Sequence, residues 1–185
     1  MIAFADIKEL MDMPIVRQML ADCVFDSSPE VMAFEIGKYR ANDDMLFKGY
    51  FVDGELVGIC GFEEHKNRVE ILHISVLKTK QHKGIGRAMV SVLHKRYGKV
   101  IETETKDETV EFYRKCGFET TAMQKYNVRR WVCVLAAPDP LNKANLKENT
   151  NRIHFDGESN VADRYRVRDH KASNGGQYFG KTDSN

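Results

Sequence analysis

The chain has 185 residues and a formal net charge of +1, with 28 basic and 27 acidic side chains. That length suits one full domain with a sizeable core plus an appendage, and the balanced charge argues against a general nucleic-acid-binding surface. No apolar run approaches the ~18 residues that a membrane-spanning helix needs.

The opening MIAFADIKEL lacks a basic stretch followed by a long apolar one, so no export signal is expected. Cys23, Cys60, Cys116 and Cys133 are widely spaced without a CxxC pair, and the histidines show no ligand spacing. Free thiols, a cytoplasmic location, no metal and no membrane partner are the matching expectations.

In chain order, Ile2 to Ala5 is expected as a short first strand. Met13, Ile15, Val16, Met19, Leu20, Cys23 and Val24 follow at helical spacing, with Asp12 as the expected N-cap and Pro14 in the first turn. A second helix is expected from Ser28 (N-cap) and Pro29 to about Ala41. Met45–Val52 and Glu55–Phe62 are β-rich runs joined by Asp53-Gly54, a strong hairpin signal.

Val69 to Arg87 is the most informative stretch. Val69, Ile71, Leu72, Ile74, Val76 and Leu77 form a nearly continuous apolar run, which predicts a strand buried on both faces. Gln81-His82-Lys83-Gly84-Ile85-Gly86 leads from it into a helix running to about Tyr97. A strand that feeds a helix through glycines presents bare N–H groups at a positive helix end, which suits phosphate. Lys78, Lys80, Lys83 and Arg87 add positive charge there. Val100 to Glu104 is then expected as a strand parallel to the Val69 strand. A fourth helix is expected from Asp107 to Cys116 with Gly117 after it, then an antiparallel pair, Phe118–Lys125 and Val128–Ala136, about a turn at Tyr126-Asn127. The chain divides into a domain of residues 1–137 and a polar tail of residues 138–185, too poor in apolar surface to order itself.

The predicted fold is thus an α/β chain (α+β, mixed sheet) in the order β-α-α-β-β-β-α-β-α-β-β. This order, the Gln-x-x-Gly-x-Gly segment, the Ile74-Ser75-Val76 run before it and Phe112-Tyr113-Arg114-Lys115-Cys116-Gly117-Phe118 after it resemble the GCN5-related N-acetyltransferase (GNAT) superfamily, in particular small bacterial-type members. The resemblance covers Ile2 to about Ala136. It implies splayed fourth and fifth strands, acetyl-CoA as donor and a primary amine as acceptor. It also implies that Ile74, Ser75 and Val76 hold the pantetheine arm and that backbone N–H groups from His82, Lys83, Gly84, Ile85, Gly86 and Arg87, behind Gln81, take the pyrophosphate. Gly84 and Gly86 are expected to be glycine because a Cβ would block the phosphate and the loop needs unusual torsions. The chain departs from the pattern at Lys78, where many members carry proline, and at Lys106-Asp107, where many carry asparagine.

For the chemistry, Tyr113 matches the family tyrosine that protonates the departing CoA sulfur, and a phenol is protonated at neutral pH. Glu70, eleven residues before Gln81, stands where some members keep a glutamate base. Strand alternation puts it on the face of Leu72, Ile74 and Val76, with His73 opposite. Glu104 is the alternative base, at the end of the fifth strand. The family takes acceptor specificity from the first two helices and from the loops at 25–29 and 124–127, where Asp26 and Glu35 would attract a cation. The acceptor, small molecule or protein, stays open, as does monomer against homodimer. Two other readings are a non-catalytic acyl-CoA sensor and a P-loop or Rossmann nucleotide binder. The latter is disfavoured because no Gly-Lys-Ser/Thr follows the glycines.

Overall fold

The computed structural model describes residues 1–125, 127–139 and 153–154. Its elements follow the expected order: β1 (Ile2–Asp6), α1 (Pro14–Ala21), α2 (Pro29–Ala41), β2 (Met45–Val52), β3 (Glu55–Glu64), β4 (Arg68–Val76), α3 (Ile85–Tyr97), β5 (Val100–Thr105), α4 (Asp107–Lys115), β6 (Glu119–Lys125) and β7 (Val128–Leu135). Two residues beyond these, Ile153–His154, form β8. The sheet order is β6-β7-β5-β4-β3-β2-β1-β8, with β4/β5 and β1/β8 parallel and the other pairs antiparallel. The polar tail expected over residues 138–185 lies outside the described residues, apart from 138–139 and this strand.

Local chemistry accounts for most of the boundaries. Asp53 and Gly54 both take positive φ, 50° and 80°, as the tight turn between β2 and β3 requires. Pro29 opens α2 behind Ser28, and Gly98 and Gly117, both left-handed, follow α3 and α4. One expected cap is corrected. Met13, not Asp12, is the residue before α1, and the Asp12 carboxylate instead pairs with Arg40 at 2.6 Å and Arg17 at 3.6 Å.

Helices cover both faces of the sheet. One core joins α1 and α2 through Val16, Leu20, Met32, Ile36 and Tyr39 to Phe47 and Ile59. The other joins α3 and α4 through Met89, Leu93, Val110 and Tyr113 to Phe62, Val69, Ile71 and Ile101. Among the described residues no helix is long and apolar enough to cross a membrane.

Candidate active site

The site is a fork between two parallel strands. β4 and β5 pair only at Arg68/Val100, Val69/Ile101 and Glu70/Glu102, although β4 continues to Val76 and β5 to Thr105. Beyond Glu70 the strands part. Ile74, Ser75 and Val76 keep their ladder to Cys60, Ile59 and Gly58 of β3, so their other edge faces the gap. At the crotch, the Thr103 hydroxyl donates to the Ile71 carbonyl at 2.9 Å and satisfies a group that the lost pairing would strand.

A β-bulge marks the same place. On β3, Gly61 and Phe62 are consecutive, but their partners on β4 are His73 and Ile71, so Leu72 is an extra residue. The bulge reverses the alternation expected from sequence. Ile71 and Ile74 both turn toward α3 and α4, while Leu72 packs on the α1/α2 core and His73 meets Tyr39 and Glu35 of α2. Glu70, flanked by the inward Val69 and Ile71, therefore shares a face with His73 and not with Ile74 and Val76. The expected burial on both faces is corrected as well: Val69 and Ile71 are buried, whereas Leu72 to Leu77 are only half-buried. These apolar residues line the opening, and the end of α1 lies over them, with Cys23 beside Ile74 and Ser75.

At the open end of the fork, Gln81 reaches back and its Nε2 donates to the Val76 carbonyl at 3.0 Å. His82 takes φ +60° and Gly84 φ +79°, the latter immediately before α3. The first N–H groups of α3, at Ile85, Gly86 and Arg87, have no acceptor within the helix. A Cβ built on Gly84 meets nothing within 4 Å, so this glycine fronts open space. Gly86 differs from its expected role. A Cβ there would lie 2.9 Å from the Phe112 ring, so Gly86 permits close packing of α3 on α4. Of the surrounding cations, Lys80 pairs with Glu55 at 2.7 Å and Lys78 with Asp22 at 3.7 Å, and Arg87 donates to the Lys115 carbonyl. Lys83 is exposed beside the loop.

Tyr113 lies on α4, 5% exposed, with edge contacts to Phe112 and Phe118 at 4.9 and 5.3 Å between ring centres. Burial pushes its hydroxyl well above the usual phenol range, against a smaller opposing effect from the neighbouring Thr103 hydroxyl. Through Thr103 it adjoins the crotch of the fork. Glu70 stands at the closed end, in a row with Glu63 and Glu102 across three strands, with His65 at 3.5 Å and Arg68 at 3.8 Å. Glu104, past the split, is held by Lys125 at 2.8 Å. Lys106 stands before α4 without a side-chain cap, and Asp107 accepts from Arg129 and from Trp131 Nε1 at 2.6 Å, which holds its carboxyl below the usual range.

His73, expected from the sequence as a packed or paired group on the face opposite Glu70, is paired, but the bulge puts it on the Glu70 face. Tyr39 Oη and His73 Nδ1 are 2.7 Å apart. Burial lowers the imidazole pKa to about 4, more than Glu35 raises it, and Lys38 lowers it further. Relative to an unfolded histidine near 6.5, the folded state resists protonation, so stability is complete above about pH 6.5 and falls as pH drops toward 4. The loss across that window should be of order 3 kcal/mol. Urea unfolding at pH 7 and pH 4.5 should show this slope in wild type and a flatter one in His73→Gln.

A model of the GNAT acetyltransferase domain matches residues 46–120, which run from β2 through the fork and α4 to the start of β6. Solved structures share the fold at low identity. A Desulfovibrio desulfuricans protein assigned to the GNAT acetyltransferase family is 18% identical with a TM-score of 0.59, over 74% of this chain and 99% of that one. The ribosomal-protein-S18-alanine N-acetyltransferase of Escherichia coli is 14% identical at 0.58, over 76% and 97%. A GNAT acetyltransferase from Elizabethkingia anophelis, solved with acetyl-CoA bound, is 16% identical at 0.55, over 74% and 98%. The forked strands and the glycine loop before α3 lie within the segment that matches the GNAT acetyltransferase domain, and the chain has the fold of these GNAT acetyltransferases.

Proposed function

We propose that the protein transfers an acetyl group from acetyl-CoA to a primary amine. The observation that carries this reading is the fork: one edge of Ile74–Val76 faces the gap and leads straight to the N–H groups at Ile85–Arg87. The amide-bearing pantetheine arm suits such a strand edge, and the pyrophosphate suits the helix end behind Gln81, His82, Lys83 and Gly84. The acetyl-CoA held by the Elizabethkingia relative supports the same donor. In the reaction the amine nitrogen attacks the thioester carbonyl and forms the C–N bond. The tetrahedral centre collapses with loss of the C–S bond, Tyr113 protonates the departing sulfur, and the amine gives up a proton to a carboxylate or to water.

We take Glu104 over Glu70 for that last step because it lies past the split while Glu70 stands at the closed end; both are ion-paired, Glu104 with Lys125 and Glu70 with His65 and Arg68. Glu70→Gln should leave kcat within about threefold of wild type, below the ~10²-fold floor usual for loss of a general base. Glu104→Gln should do more.

The test has two stages. Acetyl-CoA should raise the melting temperature, and thiol release should then depend on added amine across a panel of peptide N-termini, lysine side chains, polyamines and aminoglycosides. Stabilisation without release from any amine would favour the sensor reading, and absence of both would end the proposal.

A further inference from the structure

The two edges of the sheet differ. At one, β8 runs along β1 through Ile2/Ile153 and Ala3/His154. At the other, β6 is the last strand among the described residues. A strand paired on one side only turns alternate N–H and C=O groups outward, which makes it a template for another strand. Natural edges are commonly guarded by proline, a bulge or charges along the strand. The segment Glu-Thr-Thr-Ala-Met-Gln-Lys has no proline, and its ladder to β7 runs from Glu119/Val134 to Lys125/Val128 without a register shift. Ala122, at its centre, is exposed, and its only charges stand at the two ends.

Those ends make the strand complementary to itself. When two copies pair antiparallel about Ala122, Glu119 of each stands opposite Lys125 of the other, Thr120 opposite Gln124 and Thr121 opposite Met123. A slip by two residues, the smallest that keeps the faces matched, sets both charges against uncharged neighbours. Ala122 and Thr120 pair with Trp131 and Cys133 on the α3/α4 side, so Glu119, Thr121, Met123 and Lys125 lie on the other side with Val128, Val132 and Val134. The α1/α2 core takes no buried residue from β5, β6 or β7, and Val128 is 56% exposed. Glu119 is exposed and has no ion-pair partner among the described residues. Lys125 holds Glu104 at 2.8 Å, and an ammonium with three donors can serve a second carboxylate.

We infer that β6 is the contact through which two copies of this chain pair, edge to edge and antiparallel about Ala122, into one continuous sheet. Glu119 of the second copy then joins Lys125 and Glu104, so the interface reaches the carboxylate that lies past the split of the fork. A single strand pair buries little area, which makes the dimer weak and concentration-dependent.

Sedimentation velocity of the full chain from about 1 to about 500 μM should show a monomer–dimer equilibrium. Glu119→Lys sets lysine against lysine at both ends of the strand pair, and Lys125→Glu sets glutamate against glutamate. Each variant alone should weaken the dimer about tenfold or more, since two attractive contacts become repulsive. An equimolar mixture of the two should recover the dimer, because in the mixed pair every lysine meets a glutamate. Recovery on mixing is what a folding defect, or pairing through another surface, would not give. Should Lys125→Glu fail to fold, Glu119→Gln decides: its affinity should fall between wild type and Glu119→Lys, and equal affinity in all three overturns the inference. A wild-type monomer across the whole range, as would follow if another segment of the chain covered β6, overturns it too. So does a mixture no more dimeric than its parts.

Discussion

Tyr113→Phe should lower kcat for acetyl transfer by ~10²–10⁴-fold, the range typical of losing a general acid. The size follows from what the substitution removes. The ring of Tyr113 is locked between Phe112 and Phe118 and is almost fully buried, so phenylalanine keeps the packing and deletes only the hydroxyl. The Thr103 hydroxyl keeps its bond to the Ile71 carbonyl, so the crotch of the fork survives. Loss of one buried hydrogen-bonding group costs about 1 kcal/mol, a few degrees in melting temperature for a domain of this size. KM for acetyl-CoA should hardly move, because the hydroxyl serves the sulfur only as the C–S bond breaks. Burial raises the pKa of this phenol, so the acid form persists beyond the ordinary phenol range. The alkaline limb of kcat against pH should therefore not report Tyr113, and in wild type it should lie at the same pH as in any weakly active Tyr113→Phe preparation. A kcat within threefold of wild type would take the residue out of the mechanism.

The two halves of the site differ in how far they could be read from the chain alone. The loop that follows β4 was legible because its signals are local: Gln81, two glycines and a helix start within seven residues, and each acts through backbone geometry that neighbours in sequence determine. The hairpin at Asp53-Gly54 and the left-handed Gly117 were legible for the same reason. The face of β4 turned toward α1 and α2 was not. Alternation along β4 put Glu70 with Ile74 and His73 on the other face, and one extra residue at Leu72 reversed that relation. Nothing near Leu72 in sequence announces the bulge. It is held by groups far along the chain, Thr103 on the Ile71 carbonyl and Tyr39 on His73, both 32 or more residues away. Gly86 shows the same limit on a smaller scale. Its motif position was visible, but the reason it must be small is the Phe112 ring, brought in by α4.

That distinction between the two glycines yields the second large effect, a separation of ligand affinity from stability. Gly84→Ala places a methyl group, at the N-cap of α3, in space that nothing beyond the chain neighbours occupies within 4 Å. The left-handed φ of +79° makes the substitution cost about 1–2 kcal/mol of stability. Its larger consequence falls on the donor, because the methyl would keep a diphosphate from reaching the loop backbone. Several charge-assisted contacts would lengthen together, each worth ~0.3–1 kcal/mol, so KM for acetyl-CoA should rise by about 10- to 100-fold. Gly86→Ala works in the opposite sense. Its methyl drives into the Phe112 ring at 2.9 Å, an overpacking of α3 against α4 that costs about 1–3 kcal/mol. The N–H groups at the start of α3 are untouched in that variant, so on the proposed donor site KM for acetyl-CoA should rise less than in Gly84→Ala even where the melting temperature falls further. Calorimetry of acetyl-CoA binding beside thermal unfolding of both variants decides it. If Gly86→Ala loses more affinity than Gly84→Ala at equal or smaller loss of stability, the diphosphate does not sit in front of Gly84.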